Sequence, residues 1–149
     1  MFEENNVKLL CDALEVGLKN KNESPLFAAK VTPLVEAIFS VALPLKEQDL
    51  LFNPEGKKIE NFNFDEFLQW TDLVSLKNLY FTIKESNEKG KLVRTQLDGT
   101  TYTPINLEVL REYIKRYNIH EEYEEEDFPI AHYNLHTGVA SVMRELVLS

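Results

Sequence analysis

The sequence predicts a mainly α-helical protein, a compact bundle of five or six helices with one small β-hairpin. Three observations predict it. Residues 24–45 form one long apolar stretch. Several further segments repeat apolar residues at helical spacing. Residues 92–103 depart from that spacing and alternate around Asp98-Gly99. All 149 residues are read as a single helical domain, since a chain of this length can bury a core of its own.

The first helix takes its cap from Asn5 or Asn6 and runs to about Asn20, with Val7, Leu10, Cys11, Leu14 and Leu18 on one stripe. Lys19-Asn20-Lys21-Asn22-Glu23 is a polar turn. Ser24 then caps a central helix and Pro25 suits its first position. From Leu34 to Leu45 apolar residues cover nearly the whole circumference, which places this helix at the centre of the core. An interior proline loses a hydrogen bond and clashes with the preceding turn, so a bend is expected near Pro33. Three prolines (Pro25, Pro33 and Pro44), with Lys30 and Glu36 in buried-looking positions, argue against a bilayer span, which wants ~20 apolar residues without charges.

Residues 49–61 read as a loop, with turn chemistry at Asn53-Pro54-Glu55-Gly56. Asn63 caps a short helix that packs through Phe64, Phe67, Leu68 and Trp70, with Asp65 and Glu66 at its positive end. Asp72 caps the next helix, where Leu73, Leu76, Tyr80 and Ile83 repeat and Gly90 lies beyond the end. The hairpin follows and must lean on the helices, because an isolated pair of strands is marginal. Asn106 caps a helix whose inner face is Leu107, Leu110, Tyr113, Ile114 and Tyr117. Residues 120–127 are a charged loop or the frayed end of that helix. Asn134 is expected to cap the last helix, with Leu135, Val139, Val142, Met143 and Leu146 facing inward. That helix is still strongly apolar where the sequence stops at Ser149, which is the pattern of a domain cut from a longer chain.

The net charge of −9 disfavours non-specific binding of nucleic acid by the domain as a whole, because phosphate backbones repel it. Cys11 is the lone cysteine, which leaves no internal disulfide and no cysteine-rich metal site. The acidic, polar start lacks the basic and apolar regions of a signal peptide, so the chain is read as cytoplasmic.

Catalytic motifs fail one by one. Asn53-Pro54-Glu55-Gly56-Lys57-Lys58 holds a Gly-Lys pair but no upstream glycine at phosphate-loop spacing and no Ser or Thr after the lysine. His132 and His136 stand i, i+4, a spacing that can hold zinc, but Tyr133 occupies the place of the protease glutamate. Their expected role is local hydrogen bonding at a helix start, with no metal and no cofactor. Ser40, Ser75 and Ser141 lie within helix patterns rather than in a nucleophile elbow.

Two charged groups remain as binding candidates. Glu121, Glu122, Glu124, Glu125, Glu126 and Asp127 place six carboxylates in seven residues, either a solvated loop or a docking surface for a protein with a basic face. Lys84, Lys89, Lys91 and Arg94 form the one basic cluster able to touch a phosphate backbone, and any such DNA binding would be weak.

Ser24-Pro25-Leu26-Phe27 leads into Pro33-Leu34-Val35-Glu36-Ala37-Ile38-Phe39 and on through Leu43-Pro44-Leu45 to Asn53-Pro54-Glu55-Gly56. Phe67-Leu68-Gln69-Trp70-Thr71-Asp72-Leu73 and Ser75-Leu76-Lys77 follow. In order and texture this resembles the all-α domain of type IV coupling proteins, hexameric ATPases of conjugation and type IV secretion. The Walker residues of that family's ATPase domain have no counterpart here, and the hairpin departs from its all-helical pattern. The resemblance implies a non-catalytic recognition domain, binding relaxosome proteins, secreted substrates or their adaptors, while a parent chain anchored at the inner membrane hydrolyses ATP. A stand-alone helical adaptor or chaperone is the alternative, and a small hydrolase or metal enzyme the third reading.

Overall fold

The computed structural model describes residues 7–20, 31–116, 118–122 and 130–148. Six helices are present among the described residues: α1 (Val7–Asn20), α2 (Val31–Glu47), α3 (Phe64–Gln69), α4 (Leu73–Lys89), α5 (Glu108–Arg116) and α6 (Ile130–Leu148). The mainly helical bundle expected from apolar spacing is what the chain forms. Helix α2 packs on α1 and α5, α1 and α3 both pack on α6, and α4 leans on α5.

Helix α2 is central for the reason its sequence suggests. Leu34, Val35, Ala37, Ile38, Phe39, Val41, Ala42 and Leu45 are all buried, so both sides of the helix face protein. Its details differ from expectation. Glu36 is exposed rather than buried. Pro33 stands in the first turn, where its missing N–H would have no helical partner. The interior proline is Pro44, and the helix ends just beyond it, with Asp49 in the left-handed region at φ 59°. The expected cap and first turn at Ser24, Pro25 and Lys30 lie outside the described residues, as do Asn5 and Asn6. On α1, Cys11, Leu14 and Leu18 are buried as the stripe predicts. Gly17 lets α1 approach α6 closely: a Cβ there would stand 2.4 Å from Val142 Cγ1.

The caps between residues 63 and 106 form as the sequence indicates. The Asn63 side chain accepts from the Asp65 N–H at 3.1 Å, and the Asn63 N–H donates to Glu66 at 3.2 Å, closing a capping box on α3. The Asp72 carboxylate accepts from the Ser75 N–H at 3.0 Å. Gly90 closes α4 at φ 71°. Asn106 accepts from the Glu108 N–H at 2.8 Å. Phe39 on α2 meets Phe62 and Phe67 edge-on, with centroids 5.4 and 5.6 Å away, so α3 docks on the central helix through aromatic rings.

The hairpin is not formed. Among the described residues there are only two isolated antiparallel bridges, Phe52 with Lys58 and Lys91 with Thr101. Leu92 and Val93 are both buried, which strand alternation forbids on one face. Arg94 then turns left-handed at φ 62° and ends any extended run. Beyond it the chain makes two successive turns, Asp98 N–H to Thr95 C=O and Thr100 N–H to Leu97 C=O, both 3.0 Å. Backbone donors that a strand partner would take go elsewhere: the Val93 N–H to Ser86 Oγ at 3.1 Å, the Gln96 N–H to Gly56 C=O at 2.8 Å. The returning segment is held by side-chain amides. Gln48 brackets Thr103, accepting its N–H at 2.8 Å and donating to its C=O at 3.0 Å. Asn87 does the same for Ile105 at 3.2 and 2.8 Å.

The last helix also begins earlier than expected. Asn134 lies inside α6 and is exposed, so it is not the cap.

Candidate functional site

Two polar centres stand out, one inside the bundle and one on its surface. The inner one is built on His136, 3% exposed on α6. Its Nδ1 lies 2.6 Å from the Thr71 carbonyl, and its Nε2 lies 2.7 Å from the Tyr113 hydroxyl of α5. A carbonyl can only accept, so Nδ1 carries the proton and Nε2 accepts from the Tyr113 O–H. That is a neutral imidazole. Burial pushes its pKa down to about 4, with the Thr71 carbonyl and the nearby Asp72 charge opposing the shift. The expected local hydrogen bonding at a helix start is therefore wrong for His136. It ties α6 to α5 and to the junction between α3 and α4. The side chain of His132 lies outside the described residues. Among the described residues no group of three or more His, Cys, Asp or Glu is placed to hold a metal ion. Tyr113 is itself 3% exposed, so this pair is sealed from solvent and shaped for holding helices together.

The outer centre lies where the basic cluster was expected, at the end of α4. Arg94 is the hub. Its Nε lies 3.1 Å from Glu85, and Nη1 and Nη2 each lie 3.4 Å from one oxygen of Glu121. Lys89 also reaches Glu85, at 3.9 Å. Lys84 sits over the Phe81 ring, 6.0 Å from its centroid. Lys91 is exposed and its backbone bridges to Thr101. The cluster is therefore not a clear cationic surface, because carboxylates occupy Arg94 and Lys89. Glu85 is the residue that sequence reasoning missed. Its i, i+4 spacing to Lys89 was a visible signal, whereas its contact with Arg94 depends on the left-handed turn.

Glu121 and Glu122 are exposed. Glu124, Glu125, Glu126 and Asp127 lie outside the described residues. The loop at residues 53–58 shows the same charge compensation. Lys57 pairs with Glu55 at 3.5 Å, and Lys58 with Asp49 at 3.1 Å and Glu60 at 3.6 Å. Asn53 organises its turn by accepting from the N–H groups of Glu55 and Lys57, both 3.0 Å, and the Asn53 carbonyl takes the Gly56 N–H at 2.8 Å. Gly56 needs its φ of 83°, and a Cβ there would crowd Thr95 Cα at 3.3 Å. This loop thus packs on the turn that carries Arg94.

No family model matches the chain, and neither a curated protein nor a solved structure matches it. No described helix is long and apolar enough to cross a membrane. What the fold and its polar centres define is a helical bundle with a sealed interior and a charged exterior.

Proposed function

We propose that this chain is a non-catalytic recognition module that docks a protein partner with a basic face, using the acidic segment that begins at Glu121 and Glu122. The observation behind this reading is the charge compensation around Arg94. Arg94 and Lys89, two of the four members of the basic cluster, are occupied by Glu85 and Glu121, which halves the positive charge it offers to phosphates. The overall charge of −9, with six carboxylates in the sequence between residues 121 and 127, then sets the sign of the field that an approaching macromolecule meets. The particular form we propose, from the resemblance in residues 24–77, is the all-α recognition domain of a type IV coupling protein. Its partners would be relaxosome proteins, secreted substrates or their adaptors.

The test pairs a salt titration on duplex DNA with binding to purified relaxosome or secretion proteins encoded beside the gene. DNA affinity is expected to be non-specific, weak at about 10⁻⁴ to 10⁻⁶ M, and abolished by moderate salt. Replacing Glu121, Glu122, Glu124, Glu125 and Glu126 by glutamine is expected to slow association with the protein partner and leave folding nearly unchanged. Sub-micromolar DNA binding at physiological salt, with no binding to those proteins, would sink the proposal.

A further inference from the structure

The geometry points to Arg94 as the clasp of a strap formed by residues 118–122, a clasp that a cationic group on a docking partner opens by competing for Glu121. This inference rests on the docking function proposed above. The strap starts firmly. Asn118 turns left-handed at φ 52°, the Asn118 and Ile119 N–H groups donate to the Lys115 and Ile114 carbonyls at 3.0 and 3.1 Å, and Ile119 is 7% exposed. Residues 120–122 are exposed, and Glu121 reaches back to Arg94.

The two halves of the clasp are unequal. A strong guanidinium–carboxylate fork sets two N–H groups on two oxygens at about 2.7–2.9 Å. Here Nη1 and Nη2 share a single Glu121 oxygen at 3.4 Å, while Nε holds Glu85 at 3.1 Å. Arg94 therefore belongs to α4 and grips the strap loosely. Its backbone neighbours are pinned, Val93 on Ser86 and Gln96 on Gly56, so the cation stays in place when the strap leaves. The side chains of Arg94 and Glu121 are 48% and 56% exposed, a setting in which ion pairs contribute little and salt screens them. A lysine or arginine arriving at Glu121 offers the same charge that Arg94 does. Opening releases Glu121 while Ile119 remains seated in the core.

The experiment is ¹⁵N relaxation on the full chain. In R94Q, in E121Q and in wild type at high salt, order parameters should fall at Glu121 and Glu122 but hold at Ile119. The open population should rise roughly two- to fivefold. The R94Q/E121Q double variant should loosen the strap no more than either single change. Unchanged order parameters in R94Q, or a fall spread equally through Ile119 and α5, would overturn the clasp. At low salt, a tetralysine peptide should shift the Glu121 resonances and the Arg94 Nη–H signal in wild type. The same peptide should leave that Arg94 signal unmoved in E121Q. Loosening in R94Q without any response to the peptide would overturn the competition and count against the docking function, while the clasp itself stands.

Discussion

His136 and Arg94 perform similar mechanical jobs in opposite surroundings. Each joins an element near α5 to another part of the bundle. His136 does so at 3% exposure with two hydrogen bonds of 2.6 and 2.7 Å. Arg94 does so at the surface, with contacts of 3.1 to 3.4 Å. The difference teaches where stability resides. In the interior no water replaces a lost partner, so an orphaned hydroxyl or carbonyl carries its full desolvation cost. At the surface, water and salt replace an ion pair almost evenly.

The sharpest way to break the comparison is to remove His136. His136→Ala should remove the hydrogen bonds that the ring makes to the Tyr113 hydroxyl and the Thr71 carbonyl and open a cavity in its place. The expected loss is on the order of 3–5 kcal/mol, read by urea unfolding. Tyr113→Phe removes the bond to His136 but leaves the imidazole and its bond to Thr71 in place, and should cost less. If His136→Ala cost no more than a surface substitution, the inner node would not be holding the bundle.

Acid should produce a somewhat smaller effect through the same residue. The folded pKa of His136 is lowered from 6.5 to about 4, so the unfolded chain binds a proton that the folded chain refuses. The contribution is fully present above pH 6.5, declines as pH falls towards 4, and changes no further below that. Over that window the loss should approach about 3 kcal/mol. Carboxylates add their own slope at the acid end, so the check is a difference: unfolding measured against pH for wild type and for His136→Gln. The extra slope between these limits should vanish in the variant. Identical slopes would show that protonation of His136 is not coupled to folding.

The smallest effect should come from the outer node. Arg94→Gln is expected to change unfolding stability by less than about 1 kcal/mol, and less again at high salt. A larger loss that persisted in high salt would mean that Arg94 holds the bundle as His136 does, and the contrast between the two would disappear.

Local chemistry was legible wherever it acts within a few residues. Asn63 with Glu66, Asp72 with Ser75, Gly90, and Asn106 with Glu108 all do what residue type and spacing indicate. So do Cys11, Leu14 and Leu18 on α1, the stripe of α4, and Leu110, Tyr113 and Ile114 on α5. The two centres were less legible. Both histidines were visible at i, i+4, yet the partners of His136 lie 23 and 65 residues away. The basic cluster was visible as a run of lysines and an arginine. Its partial neutralisation was not, because Glu121 is 27 residues from Arg94.

The sequence by itself determined the helical class, the central place of α2 and the helix caps between Asn63 and Asn106, because periodicity and capping are properties of neighbouring residues. Tertiary structure alone decided the fate of residues 92–103. Alternation and an Asp-Gly turn favour a hairpin locally. Burying Leu92 and Val93 together, and giving their backbone groups to Ser86 and the returning segment, replaced the ladder such a hairpin would need. It also decided that His136 is a neutral interior bridge and that Arg94 faces carboxylates. Both outcomes depend on which distant segment arrives beside a side chain, and no local spacing encodes that arrival.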